Sequence, residues 1–358
     1  MLPLFECYPK LAQNLPWVPL GSYPTPVQRA EKLGAALGLD ALYVKRDDSS
    51  GDEYGGNKVR KLEFMLAEAR RRGLQEVLTF GGTGSNHALA TAIYADKLGM
   101  RSISVLTPQP KSPGVQRSLL LSHRYGAELH LIQSFDEQGP TATRICDEHC
   151  ARTGQRPMVI PTGGSSPLGT VGSLNGAYEL KAQIDAGQAP LPDVIYVALG
   201  SMGTAAGIVL GLRALGLPTR VEAVRVVRDT LGNRAAMAAL VQQTTDLLRE
   251  ADPSFPDTGF TEADAAAAIR DGHYGEGYAV PTSGGQEAVE LARSTEGIAL
   301  ENTYTGKAFA ALVEDARAGK LAGKTVLFWN TYNSRDLTPL LAEQDWRRLP
   351  DEFHECFE

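Results

Sequence analysis

The sequence predicts an α/β protein built on open, mostly parallel sheets flanked by helices. Two observations carry that prediction. Short apolar runs alternate with longer amphipathic ones for most of the 358 residues, and glycine-rich turns follow several of the apolar runs. Strand, helix, strand at this spacing implies right-handed crossovers and parallel pairing. The composition agrees: 43% hydrophobic and 22% charged residues describe an ordinary globular chain. The length implies two domains, or one large α/β unit with a subdomain.

Taken in order, "ALYVKR" (41–46) reads as a strand and 58–72 as a helix with Leu62, Met65, Leu66 and Ala69 on one side. "EVLTFG" (76–81) has the pattern of a buried strand, and Ser85 opens a helix over 85–98. "SISVLT" (102–107), a helix near 114–124, "ELHLI" (128–132), a helix near 139–152 and "MVIP" (158–161) continue the alternation. A helix near 167–186 leads to strand "VIYVALG" (194–200), a helix from about Thr204, and strand "VEAVRVV" (221–227). "DPSFPDTGFT" (252–261) is a Pro/Gly-rich loop, after which the chain is mainly helical until "TVLFWN" (325–330). No internal repeat or low-complexity tract interrupts this order.

The net charge of −7 argues against nucleic acid or an anionic membrane as the main partner. No stretch reaches the apolar length that spans a bilayer, and Glu6, Pro9 and Lys10 break any signal-like run near the start. A cytoplasmic protein is expected. Four cysteines in this length make no disulfide scaffold. Cys146 and Cys150 flank His149 in "CDEHC", a spacing that matches no zinc knuckle and reads as helix interior; no metal is expected.

Ligands of parallel sheets bind where glycine-rich turns leave the carboxyl ends of strands. Four turns qualify. In "GGNK" (55–58), Lys58 stands at a helix start, where the positive end of the dipole disfavours a cation. In "GGTGSNH" (81–87), Ser85, Asn86 and the helix amides suit an anion or a polar ring substituent. His87 stands where a dinucleotide fingerprint needs its third glycine, which weakens a nicotinamide-dependent dehydrogenase reading. The third turn is "TGGSSPLGTVG" (162–172). In the fourth, "LGSMGTAAG" (199–207), Gly200, Ser201, Met202, Gly203 and Thr204 offer backbone amides and two hydroxyls to one phosphate, without the lysine of a nucleotide P-loop.

An amine that attacks a carbonyl must spend time neutral, which desolvation or a cationic neighbour arranges. A carbonyl cofactor with one phosphate and a ring hydroxyl would use a lysine, an asparagine and an anion nest together, and pyridoxal 5′-phosphate is such a cofactor. The glycines before Lys58 then read as clearance for its planar ring. Downstream, Tyr278 and Tyr304 lie in loops between helices, where a tyrosine packs or, with its pKa lowered by neighbours, exchanges protons.

Several segments carry a family resemblance: "GGNKVRKLEF" (55–64), "GGTGSNH" (81–87), "GGSSPLGTVG" (163–172), "GSMGT" (200–204), "GYAVPTSGGQEAV" (277–289) and "EGIALENTYTGKAFAALV" (296–313). With "YPTPVQRAEKLGAALG" and "LYVKRDD" within 23–48, they resemble the D-cysteine desulfhydrase and 1-aminocyclopropane-1-carboxylate deaminase family. That family belongs to the fold type II, tryptophan synthase β-like enzymes that use pyridoxal phosphate. The resemblance implies a larger cofactor-binding domain (1–50 and 163–358), a smaller domain (51–162) carrying the lysine and a substrate-carboxylate loop, and a homodimer.

By the same resemblance, Lys58 is the Schiff-base lysine that also moves the substrate α-proton. Asn86 meets the ring hydroxyl, and residues 200–204 hold the phosphate. Ser85, Asn86 and His87 receive the substrate carboxylate. Tyr278 and Tyr304 assist proton transfer, and Thr305 faces the pyridine nitrogen. The deaminases resemble one another in having Tyr-Glu-Gly where Tyr304-Thr305-Gly306 stands, and the desulfhydrases in having Tyr-Thr-Gly. A hydroxyl in place of a carboxylate implies a weaker electron sink, sufficient to expel a thiolate. The implied reaction is α,β-elimination of a small amino acid such as D-cysteine to pyruvate, ammonia and the leaving group. Ring-opening deamination, β-replacement and a non-catalytic amino-acid-binding role are the alternatives. Three departures bear on the substrate: Gly84 where the family has Gln, Ala88-Leu89-Ala90 where an Arg is usual, and "NTYNS" (330–334) where relatives read His-Thr-Gly-Gly.

Overall fold

A computed structural model describes residues 1–358. The chain forms two compact units. The larger comprises Met1–Leu15, Gly21–Lys61 and Ser165–Arg335; the smaller comprises Pro16–Leu20, Leu62–Gly164 and Asp336–Glu358. This division differs from the cut at 51–162 implied by the resemblance. Lys58 stays with the larger unit, because the first turn of its helix is bonded to residues of that unit, as described below.

Ten strands form two sheets: β1 (Val27–Arg29), β2 (Ala41–Lys45), β3 (Glu76–Gly82), β4 (Arg101–Thr107), β5 (Glu128–Leu131), β6 (Met158–Ile160), β7 (Val194–Leu199), β8 (Arg220–Arg225), β9 (Ile269–Arg270) and β10 (Thr325–Trp329). The larger unit holds the sheet ordered β1-β2-β10-β7-β8-β9, parallel except for β1. Its two edge strands are three and two residues long, which limits the unpaired backbone the edges offer. Strand β7 is buried along its whole length, as expected for a central parallel strand read as "VIYVAL". Val44, Tyr196, Val326, Phe309 and Phe328 share the core of this unit.

The smaller unit holds β5-β4-β3-β6, all parallel. Leu78, Phe80, Ile103, Val105, Ile145 and Cys146 form one part of its core. The "CDEHC" segment lies inside the helix Gln138–Thr153. Cys146 packs among apolar side chains, and His149 joins Glu76 through Nδ1 (2.8 Å) and Glu128 through Nε2 (3.3 Å). No helix is long and apolar enough to cross a membrane.

The first turn of the lysine helix, which runs over Asn57–Arg71, is bonded into the larger unit. Arg60, fully buried, spans Asp47 (Nε 2.9 Å, Nη2 2.7 Å) and Glu179 (3.0 Å from both terminal nitrogens). Lys45 Nζ donates to Glu179 at 2.5 Å and to Gln183 at 2.7 Å, while Trp329 Nε1 donates to Asp47 at 2.8 Å. The register that pairs Trp329 with Lys45 sets these two side chains on one face, toward the arginine. Two cations and two anions therefore balance inside the fold. Gly172, on the helix Pro167–Asp185, lets that helix approach so closely that a Cβ there would stand 1.9 Å from the Arg60 carbonyl oxygen.

Burial would raise the Glu179 carboxyl, yet Arg60 and Lys45 hold it down at about 2. Its stabilisation is therefore complete above the ordinary glutamate value of 4.5 and is lost as pH falls toward 2. Replacing Glu179 by Ala leaves two buried cations short of a partner and is expected to cost about 3–5 kcal/mol at neutral pH, measured by urea unfolding. For Glu179→Gln, the stability gap from the parent narrows between pH 4.5 and about 2. A gap constant with pH would show that the pair does not hold this carboxylate.

Candidate active site

The carboxyl ends of β2, β10 and β7 lie side by side, and each releases a turn that bears on Lys58. After β2 comes the segment to "GGNK"; after β10, residues 330–335; after β7, residues 200–204. Gly56 has φ 92°, and a Cβ there would come within 2.8 Å of the Thr331 carbonyl oxygen. At Gly55 it would come within 2.0 Å of the Asp48 carbonyl oxygen. The two glycines therefore serve close backbone packing, which corrects their reading as clearance for a planar ring. Asn333 Oδ1 accepts from Gly55 N (2.7 Å) and Arg335 N (3.2 Å). Asn330 Nδ2 donates to the Ala299 carbonyl, and the Thr331 carbonyl accepts from Asn57 N. Asn333 through its side chain and Thr331 through its backbone thus hold the turn that delivers the lysine.

Lys58 is the second residue of its helix and is half-buried. Its Nζ donates to Asn57 Oδ1 (3.1 Å), and Asn57 Nδ2 donates to Thr204 Oγ1 (2.7 Å). One carboxamide therefore links the amine to the 200–204 turn. Burial lowers the Lys58 pKa to about 8 from an ordinary 10.5, against the charge of Glu301, which acts to raise it. Desolvation is the means by which this amine reaches its neutral form.

In the 200–204 turn, Met202 takes φ 68° and caps the helix Gly203–Ala214. Gly203 N donates to Ser165 Oγ (3.0 Å), and Ser165 Oγ donates to Ser201 Oγ (2.8 Å). Lys61, one helical turn after Lys58, is buried with its Nζ donating to Ser165 Oγ (3.2 Å). Burial and the charge of Lys58 both lower the Lys61 pKa. A Cβ on Gly203 would stand 2.7 Å from Ser165 Oγ and 2.8 Å from Lys61 Nζ. The turn, two serines, Thr204 and a lysine make a donor set with excess positive charge, which fits a phosphate. Lys61 brings an amine beside a turn whose own sequence has no lysine. Neither it nor Ser165 was identified from the sequence, although "KVRK" spaces the two lysines three apart on one helix face.

Tyr278 and Tyr304 meet through their hydroxyls at 2.5 Å, with their rings edge to face. Burial raises both phenols; within the pair, the shared hydrogen bond lowers Tyr278 and raises Tyr304. Neither is lowered below the ordinary range, so at neutral pH both keep their protons. The Tyr304 ring also packs on Gly200, where a Cβ would lie 3.0 Å from Cε1.

Thr305 is buried at the start of the helix Thr305–Arg317. Its Oγ1 accepts from Glu301 N (2.9 Å) and lies 3.3 Å from Glu301 Oε1. The Glu301 carboxylate also accepts from the amides of Thr303, Tyr304 and Thr305 at 2.7, 2.7 and 2.9 Å. Reading a hydroxyl alone at this position was incomplete, since the carboxylate sits against that hydroxyl from four residues earlier. "LENTYTG" carries the signal as an acidic residue ahead of a helix start.

Ser85, Asn86 and His87 lie in the smaller unit. Ser85 caps the helix Asn86–Lys97, its Oγ accepting from Ala88 N (3.2 Å); Asn86 is half-buried and His87 buried. Gln109 Oε1 accepts from Gly84 N (3.0 Å), and its Nε2 would lie 2.7 Å from a Cβ at that position. A carboxamide therefore occupies the space beside Gly84 although the residue itself has no side chain.

Two outcomes follow for the lysine. In the cofactor-free protein, the rate of Lys58 modification by a limiting amine reagent, followed by peptide mass spectrometry, rises with pH about a midpoint near 8. A midpoint near 10.5 would mean a solvated amine. In Glu301→Gln the raising influence is gone and the midpoint moves lower; an unchanged midpoint would remove Glu301 from the electrostatics of Lys58.

Residues 18–331 match the family described as pyridoxal-phosphate dependent enzyme. A protein of Pyrococcus abyssi, provisionally named 1-aminocyclopropane-1-carboxylate deaminase, is 34% identical over 90% of this chain and 92% of its own. The D-cysteine desulfhydrase of Klebsiella pneumoniae is 33% identical over 84% of this chain and 90% of its own. A crystal structure described as an ACC deaminase homologue has a TM-score of 0.78 at 32% identity, covering 93% of this chain and 95% of that one. A threonine deaminase of Solanum lycopersicum, at 18% identity and a TM-score of 0.60, shares the fold. With its mostly parallel sheets, its desolvated lysine and the donor set beside that lysine's helix, the chain belongs to the pyridoxal-phosphate-dependent enzymes of fold type II.

Proposed function

We propose that the protein is a lyase that removes ammonia and a β-substituent from a small amino acid such as D-cysteine, leaving pyruvate. The observation that carries this reading is the joint presence, in one unit, of the desolvated Lys58 amine and the protonated Tyr278–Tyr304 pair. α,β-Elimination needs a base at the α-carbon and a proton source for the departing group. Lys58 is the base: its Nζ, neutral above about pH 8, takes the α-proton. The tyrosine pair is the acid and delivers a proton to the leaving atom.

Pyridoxal phosphate, when bound, supplies the electron sink that makes the α-proton acidic. Lys61, Ser201, Thr204 and the amides of residues 200–204 are proposed to hold its phosphate, with Gly200, Met202 and Gly203 shaping the turn. Asn57 orients the Lys58 amine. Asn86 at the ring hydroxyl, Ser85, Asn86 and His87 at the substrate carboxylate, and Thr305 at the ring nitrogen are assignments that rest on the family resemblance. A cytoplasmic homodimer completes the reading, and a monomeric mass in light scattering would remove the dimer.

A second reading is ring-opening deamination of 1-aminocyclopropane-1-carboxylate. It is favoured by the Glu301 carboxylate 3.3 Å from Thr305 Oγ1, which allows the hydroxyl to accept a hydrogen bond from a protonated ring nitrogen. Purified protein is expected to be yellow and Lys58→Ala to lack that absorbance; identical spectra would end both readings. Keto-acid release measured separately with D-cysteine, L-cysteine, D-serine and the cyclopropane amino acid then decides between them. Thr305→Glu is expected to depress thiol elimination, and an unchanged rate would show that this position does not set the preference.

A further inference from the structure

Lys307 has no role in the chemistry described so far, yet it is fully buried. It is the third residue of the helix Thr305–Arg317. Its Nζ makes one hydrogen bond, to the backbone carbonyl of Tyr274 at 2.6 Å, and stands 5.6 Å from the centre of the Tyr274 ring. Burying an ammonium to hold one neutral carbonyl is costly, and desolvation lowers its pKa, with Glu301 opposing. An apolar side chain would fill the space at less cost, so the bond itself is what the position provides.

Tyr274 belongs to the loop 271–282, which carries Tyr278. The loop contains two glycines in the left-handed region, Gly272 (φ 96°) and Gly275 (φ 76°), and ends with Thr282 capping the next helix. Immediately after Tyr278, Ala279 takes φ 59°, a conformation unfavourable for a residue with a Cβ. Such a residue persists only where its surroundings over-determine it. The helix of Lys307 holds the first part of this loop at three points. Asp315 accepts from Arg270 Nη1 (2.6 Å), at the loop's entry, and Glu314 lies 3.5 Å from His273 Nε2. Lys307 holds Tyr274, and Tyr304 caps the same helix.

We propose that Lys307 is a positioning residue that fixes the Tyr278 loop to the helix presenting Tyr304, so that the two phenols meet. This rests on the reading of the tyrosine pair as the proton donor, and the experiment separates the two. In cofactor-free protein, hydrogen–deuterium exchange of Lys307→Met is expected to rise across residues 272–281 while the helix 305–317 stays as protected as in the parent. In the holoenzyme with its best substrate, kcat falls on the order of 100-fold with KM little changed, as for a misplaced catalytic group. The same substitution placed in a Tyr278→Phe background costs nothing further, because the group it positions is gone.

Lys307→Gln, which retains a donor at shorter reach, gives the same readouts where Lys307→Met does not fold. Unchanged exchange in 272–281, or losses that multiply in the double variant, would overturn the proposal. Full turnover by Tyr278→Phe would instead overturn the reading of the tyrosine pair, and the exchange measurement would still decide whether Lys307 holds the loop.

Discussion

The larger unit depends on a guanidinium taken out of water. Arg60 reaches carboxylates from two different elements, Asp47 after β2 and Glu179 on the helix Pro167–Asp185, while Trp329 at the end of β10 shares one of them. An arginine buried this deeply is tolerable only with every donor placed, and its planar fork suits two carboxylates better than a lysine would. Because Lys58 lies two residues before Arg60, whatever fixes the guanidinium also fixes the amine. The catalytic candidate inherits its position from an ion cluster that takes no part in the chemistry.

Electrostatics in this unit follows from where compensation is present and where it is not. Lys45 and Arg60 face carboxylates directly. Lys58 and Lys61 instead face an amide oxygen and a serine hydroxyl. Burial lowers the affinity of both amines for their protons, the charge of Lys58 lowers that of Lys61 further, and two such groups one helical turn apart favour an anion nearby. The reactive amine and the lysine beside the 200–204 turn are thus prepared together, by burial on one helix. Glu301, close enough to oppose the depression at Lys58, marks its limit.

Much of the fold was legible because most strands of both sheets are largely apolar runs of three to seven residues, and the helices between them open on residues such as Ser85, Ser112 and Ser166. Strands β1 and β9, three and two residues long, carry no periodicity to read. At the site, the glycine turns and Lys58 were visible as local patterns. Ser165 and Arg60 were not, since each acts through partners distant in sequence. The purpose of Gly55 and Gly56 was misread for the same reason: what crowds them is backbone from residues 48 and 331.

The glycines of the helix Pro167–Asp185 set a limit of another kind. Gly172 faces the Arg60 carbonyl, Gly176 the Trp329 ring, and the helix lies against Gly207 and Gly211 of the helix that follows the 200–204 turn. At Gly172 and Gly207 the nearest atoms include main chain, and few rotamers are available to absorb a change. The spacing between the lysine and the 200–204 turn is therefore set largely by backbone thickness, a dimension that substitution can enlarge but not fine-tune. Variation in what this enzyme accepts must arise in the loops, where side chains remain the adjustable parts.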